Sequence, residues 1–246
     1  MKKVLKIALI LLVLLVVALI AIGFFLGSII KKGIETVGPR VTKVEMKLDT
    51  ANLSLLSGNG TLRGFLVGNP EGFKSPFAFK ADKISVTVQP GSVTADKVVI
   101  RSVEVVGPEI YMHGLGDNLK KIGDNAKGSS GGTTTPSTPE TKKADAGASK
   151  KLQLDDFLLK DVKVNLVLPG GAGTVPLPKF DIHLQKLGQG ADGITGAEVV
   201  TAMIGAILEK AGPLAADAIK NGIGNVGKEA TKQLDKVTKG VGNLFK

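Results

Sequence analysis

The stretch "FKADKISVTVQP", residues 79–90, alternates in character one residue at a time. Ile84, Val86 and Val88 fall on one side of an extended chain, and Lys83, Ser85, Thr87 and Gln89 on the other. Successive side chains leave a strand on opposite faces, so this pattern predicts a strand with one face buried and the other in water.

The same period recurs upstream. In "TKVEMKLDT", residues 42–50, Val44, Met46 and Leu48 oppose Lys43, Glu45, Lys47 and Asp49. Val44, Met46, Leu48, Ile84, Val86 and Val88 are therefore expected to share one apolar face, as a core or a groove, because a one-residue slip would turn each set into water. Between them, "LSLLSGNGTLRGFLVGN" reads as a strand pair joined at Gly58-Asn59-Gly60, where glycine supplies the positive φ of a tight turn. The following "FLVGNPEGF" stops abruptly. Asn69 at i, Pro70 at i+1 and Gly72 at i+3 predict a type I turn with no nucleophile or ligand cluster in it.

Downstream, "ADKVVIRSVEVVGPEIYMHG" predicts two strands broken at Gly107-Pro108, and "DNLKKIGDNAK" a short helix. Residues 127–151 are rich in Gly, Ser, Thr, Pro and Lys and lack apolar residues to bury, which marks a linker. Strand patterning then returns. Val162, Val164, Leu166 and Leu168 share one face, as do Phe180, Ile182 and Leu184, whose strand is expected at an edge because prolines precede it. The period finally changes. Thr195 and Glu198 have the spacing of a capping box, and Val199, Val200, Met203, Ile204, Ile207 and Leu208 follow at helical intervals. Gly212-Pro213 is expected to end this helix, with Pro213 opening the next and a weak amphipathic helix in the tail from Asn221.

The N-terminus sets the compartment. Residues 7–30 are 24 positions without a charge, flanked by Lys2, Lys3 and Lys6 before and Lys31 and Lys32 after. As a helix the run is ~36 Å long, enough to cross a ~30 Å hydrocarbon core. It is longer than a secretory h-region and lacks a clean A-x-A site, so an uncleaved anchor is expected, with the leading lysines favouring a cytoplasmic N-terminus.

Chemistry-bearing patterns are sparse. The chain has no Cys, hence no disulfide and no thiolate ligand or nucleophile. Its net charge of +10 comes from lysines spread along the chain with few aromatics between them, which reads as a solvated surface and not a nucleic-acid site. "GNGTLRG" has the wrong spacing for a dinucleotide fingerprint. His113 and His183 stand apart, each expected at the surface. No catalytic, cofactor-binding or metal-binding residues are expected, and the chain is read as a non-enzyme without cofactors.

The run "LSLLSGNGTLRGFLVGNPEGFKSPFAFKADKISVTV", then "ADKVVIRSVEVVGPEI" and "NLKKI", resembles the N-terminal region of AsmA-like proteins. Asn69, Pro70, Gly72, Phe73, Phe79, Ala81, Asp82, Gly107 and Pro108 match the family's NPxGF, F-x-A-D-x-I-x-V and G-P-x-I elements. "LPKFDIHLQKLG" and "GITGAEVVTAMIGAIL" resemble its strand-then-helix continuation. The resemblance implies a single-pass protein of the bacterial inner membrane, N-terminus cytoplasmic and main domain periplasmic, that acts in envelope maintenance or lipid handling. The partners implied are the bilayer, phospholipid and other envelope proteins. The large family members resemble bridge-like lipid-transfer proteins. About nine strands at ~4.8 Å spacing span only ~43 Å, too little for a bridge. A structural accessory subunit of a membrane complex is the alternative.

The expected architecture is α+β: an N-terminal stub and transmembrane anchor (1–32), a curved antiparallel sheet (33–126), the linker (127–151), and a continuation of the sheet with C-terminal helices packed on it (152–246).

Overall fold

The computed structural model describes residues 26–54, 56–130, 151–168 and 173–242, with side chains up to residue 221. The anchor run 7–30 lies almost wholly outside the described residues, as does most of the linker. The linker's first positions close a helix, and Lys151 opens a strand. In chain order the elements are α1 (residues 26–42), β1 (Met46–Lys47), β2 (Thr50–Leu53), β3 (Asn59–Val67), β4 (Phe79–Val88), β5 (Lys97–Val106), β6 (Glu109–His113), α2 (Asp117–Ser130), β7 (Lys151–Val167), β8 (Thr174–Pro176), β9 (Phe180–Leu187) and α3 (Gly196–Gly242).

The nine strands among the described residues form one sheet, but their registers merge them into six lines. Met46 faces Val67 and Leu53 faces Gly60, so β1 and β2 are one line along β3. β5 and β6 likewise keep one register with β7, from Lys97 opposite Lys151 to His113 opposite Val167. β8 and β9 follow each other along the opposite side of β7. The lines lie side by side in the order of the sequence, and all neighbours are antiparallel except β5/β6 with β7, which are parallel. The fold is thus α+β with an antiparallel-rich sheet, corrected from purely antiparallel at that one pair. Six lines at ~4.8 Å make a sheet only about 24 Å wide, narrower than nine separate strands would give. The β8/β9 line, with its prolines, sits at the edge as expected.

Cross-strand partners share a face, so the registers can be followed across the sheet as rows. Leu62, Ile84, Val105, Leu159 and Ile182 form one row; Gly60, Val86, Val103, Phe157 and Leu184 the next; Val88, Ile100, Leu154 and Leu187 a third. On the other side, Met46, Val67, Phe79, Ile110 and Val164 form another. All these rows face the same core, yet Ala81 and Ile84 are three residues apart, as are Leu62 and Phe65, and Leu159 and Val162. A flat strand of period two would point the members of each pair to opposite faces. The phase slips at one transverse line. Gly64 has φ +63°, Gly107 φ +64° and Asp161 φ +53°, and in the sheet's registers these three positions align with Asp82 between Gly64 and Gly107. The left-handed residues on β3, between β5 and β6, and on β7 let the phase slip at the same level and keep the apolar side inward. A second slip, between Val103 and Ile100 and between Phe157 and Leu154, is matched by Lys186 at φ +59° on β9.

Among the described residues three α-helices pack on this sheet. α1 runs along the β1/β2 edge. Glu35 accepts from the Leu48 N–H at 3.2 Å, and Lys31 donates to the Leu48 carbonyl at 2.6 Å, so the open edge is partly capped. α2 presents Leu119, Ile122 and Ala126, and α3 presents Ile204, Ile207, Ala211 and Ala215, all buried at helical spacing. Gly123 of α2 faces Ile204 of α3. α3 opens with the expected capping box: Thr195 N–H donates to Glu198 Oε2 at 2.7 Å, and Glu198 N–H to Thr195 Oγ1 at 3.2 Å. The expected break at Gly212-Pro213 does not occur; Pro213 lies inside α3, and the tail continues the same helix. Pro213 is exposed and brings no N–H for the Glu209 carbonyl, while Ala211 and Ala215 are fully buried on either side and hold the helix to the core. Gly196–Asn221 is long and apolar enough to cross a membrane, with mean hydropathy 1.4, and 22% of that apolar window is buried in the protein.

Candidate functional site: a half-covered apolar face

The six residues read as one apolar face lie as follows. Val44, Leu48, Ile84 and Val88 are buried, whereas Met46 and Val86 are partly covered and pack against the core. Ile84, Val86 and Val88 fall on three successive rows at one end of the sheet. Met46 stands on a row at the other end, next to buried Val44. The kink line separates the two groups.

The two ends are covered differently. At the end formed by the β3–β4 and β6–α2 connections, here the upper end, α2 and α3 close over the sheet. They leave an apolar cavity of about 70 Å³ lined by Met46, Phe65, Phe79, Ile110, Met203 and Ile207 among others. Ligand pockets typically enclose ~300–1,000 Å³, so this cavity is a packing gap and not a lipid chamber. At the lower end, formed by the β2–β3 and β4–β5 connections, Leu62, Val86, Ile100 and Val103 are each only partly covered. They adjoin the buried Ile84 and Val105, and their rows reach the buried Phe157 and Leu154, so the partly covered strip continues directly into the core.

The NPEG loop belongs to the upper end, and its turn differs from the expected one. Phe73 N–H bonds the Pro70 carbonyl at 3.2 Å, so the turn starts at Pro70 and places Gly72, φ +95°, at i+2. That position of a type II turn demands positive φ, which Gly72 supplies. The Asn69 side chain is thereby released for tertiary bonding. Its Nδ2 donates to the Ser75 carbonyl at 3.0 Å and to Ser75 Oγ at 2.8 Å. Its Oδ1 accepts from Asn118 Nδ2 at 2.9 Å. Asn118, fully buried on the first turn of α2, also donates to the Tyr111 carbonyl and accepts from the His113 N–H. His113 Nε2 lies 3.0 Å from Ser75 Oγ, and its ring meets Phe73 edge to face at 5.2 Å. His113 is therefore half-buried in a polar knot and not a free surface group. Burial holds its pKa below the usual histidine range, with the nearby Asp117 carboxylate opposing the shift. Sequence reasoning missed this knot because its members come from positions 69, 75, 113 and 118, with no common motif.

His183 does lie at the surface. Its Nε2 is 2.6 Å from Asp156 Oδ1, which also accepts from Gln185 at 3.0 Å. These bonds, Gln185 first and His183 next, hold the Asp156 carboxyl below the usual carboxylate range. Among the described residues no three His, Cys, Asp or Glu side chains converge in a way that would hold a metal ion.

The class defined by these features is a curled α+β domain with a closed upper core and a half-open apolar strip below. Comparison of the chain with family models, with curated proteins and with solved structures gave no match.

Proposed function

We propose that this is a membrane-anchored envelope protein of AsmA type that handles phospholipid on its apolar sheet face, without catalysis or a cofactor. In this reading it resides in the bacterial inner membrane as a single-pass protein, with residues 7–30 as anchor, the N-terminus in the cytoplasm and the sheet in the periplasm. The observation that carries the reading is the half-covered strip of Leu62, Val86, Ile100 and Val103. Partly covered aliphatic side chains that adjoin one another on a sheet face gain from an apolar cover, at ~25 cal/mol per Å² removed from water. An acyl chain laid along the strip supplies that cover without displacing α2 or α3. A sheet about 24 Å wide suits a protein that holds or passes a lipid near one membrane and does not by itself bridge two.

Mass spectrometry of the full-length protein, extracted under mild conditions, tests the proposal. The expected result is co-purified phospholipid that is lost in Val86→Asp while the protein stays folded. A lipid-free protein in stable stoichiometric complex with another protein would replace this reading with that of a structural accessory subunit.

A further inference from the structure

α1 fixes which end of the sheet lies towards the anchor. Passing backwards along the helix, its contacts advance along the edge strand. Gly38 abuts the Met46 sulfur, Glu35 and Lys31 bond the Leu48 backbone, and Gly27 abuts the Ala51 carbonyl. The helix therefore runs antiparallel to β1/β2. Its first described residues, 26–30, are the last residues of the apolar run. The run thus reaches the domain at the lower end, which carries the β2–β3 turn.

That end has an unusual surface. Leu56 in the β2–β3 turn is 80% exposed and Ile29 on α1 is 64% exposed, the two most exposed large apolar side chains among the described residues. The adjoining turn at Pro90–Ser92 packs against the first: Val88 N–H donates to the Gly58 carbonyl at 2.8 Å, and Gly58 lies against Pro90. Residues 50–62, which form the first turn and both its strand ends, contain no charged residue, although 22% of the chain is charged; on the second turn residues 84–95 are uncharged as well, and charge returns only at Asp96 and Lys97, where β5 begins. A turn in water has no need to exclude charge or to present leucine at its tip. A turn at a membrane surface has both needs, because a charge moved toward hydrocarbon is costly and an inserted aliphatic side chain is favourable.

We infer that the lower end of the sheet rests on the lipid bilayer, with Leu56 inserted at the boundary between headgroups and acyl chains. The inference rests on the anchor reading for its orientation. From Ala51, beside the start of α1, the chain extends on the order of 10 Å further before it turns. That matches the 5–10 Å depth at which interfacial apolar groups sit. The arrangement also places the half-open strip of Leu62, Val86, Ile100 and Val103 next to the bilayer surface, where a lipid would enter.

The absence of native cysteine permits single-site labelling. Full-length Leu14→Cys, Leu56→Cys and Leu115→Cys variants, each carrying an environment-sensitive fluorophore, are reconstituted into phosphatidylethanolamine–phosphatidylglycerol vesicles containing nitroxide-labelled lipid. Leu14 reports on the anchor run, and Leu115, exposed at the upper end, is the control. Quenching at Leu56 several-fold above that at Leu115 supports the inference. Leu56 quenched no more than Leu115, with Leu14 strongly quenched, overturns it and leaves the anchor standing. Leu14 unquenched with Leu56 quenched removes the anchor but keeps the membrane-seated turn, and neither quenched overturns both.

Discussion

At the scale of single residues, the polar knot explains why the NPEG loop is shaped as it is. Asn118 uses both ends of its amide to join β6 to the loop, and it has no access to water. Asn118→Ala leaves the His113 N–H and the oxygens of Asn69 and Tyr111 without their partner, an expected loss of about 2–4 kcal/mol measurable by chemical denaturation of the full-length protein in detergent. Glu71, by contrast, is exposed at the tip of the turn, and Glu71→Ala is expected to change stability by no more than ~0.5 kcal/mol in the same experiment. The loop is then a structural clamp, as its turn chemistry suggested, although Asn69 serves it through Ser75 and Asn118 instead of its own backbone. His113 adds a pH dependence whose sign follows from its lowered pKa. The unfolded chain takes up a proton near pH ~6.5, whereas the folded protein resists until a lower pH. Stability is therefore fully present above about pH 6.5 and declines as pH falls from there toward the folded pKa. The thermal midpoint is expected to drop between pH 7.5 and 5.5, and to drop less in His113→Gln. An equal drop in both proteins would assign the dependence to other groups.

At the scale of elements, the kink line decides how strands become a core. Gly64 has φ +63°, and a Cβ there would collide with the Asp49 carboxylate. Gly64→Val is expected to cost about 2 kcal/mol or more, read as a lowered thermal midpoint. Gly205 provides the contrast: it is exposed within α3 with open space where a Cβ would stand, so Gly205→Ala is expected to stabilise by about 0.5–1 kcal/mol. The strands themselves were legible from period two, and the capping box of α3 from Thr195 and Glu198. The bend was not legible, because it shows only as a skipped beat. Asp82-Lys83 between Ala81 and Ile84, and Lys160-Asp161 between Leu159 and Val162, look like ordinary polar residues until the registers align them with Gly64 and Gly107. Non-glycine residues with positive φ, such as Asp161 and Lys186, carry no reliable signature in sequence. Pro213 misled for the opposite reason. Its propensity to break a helix is real, but Ala211 and Ala215 outweigh it by packing in the core. Of the six residues read as one face, Val44, Met46, Ile84 and Val86 join the core cluster, whereas Leu48 and Val88 are buried without being part of it, and how far each is covered depends on where α2 and α3 lie.

At the scale of the whole molecule, the parallel pairing of β5/β6 with β7 constrains the connection between them. β7 has 17 residues, up to ~56 Å of extended chain. α2 leaves the upper end, and Ser129 near its close bonds the Val41 carbonyl, whereas Lys151 starts β7 at the lower end. The twenty residues between Ser130 and Lys151 must make that return, and fully extended they reach roughly 70 Å. Composition alone suggests that the segment can be shortened freely. The topology argues otherwise: removing about fifteen residues is expected to lower the thermal midpoint, while inserting ten Gly/Ser residues is expected to leave it nearly unchanged. An introduced charge distinguishes the core from the partly covered strip. Leu159 is fully buried in the row that holds Ile84 and Val105, so Leu159→Asp puts an unpaired carboxylate in the interior, and the domain is expected to unfold. Val86 lies one row lower and is only partly covered. An aspartate there reaches water, so Val86→Asp is expected to retain its circular dichroism and melting cooperativity while losing the phospholipid that the proposed function puts on the strip. Unfolding of both variants would mean that the strip is closed in solution and that lipid enters only if α3 moves. A folded Val86→Asp that keeps its lipid would move the binding surface away from this face altogether.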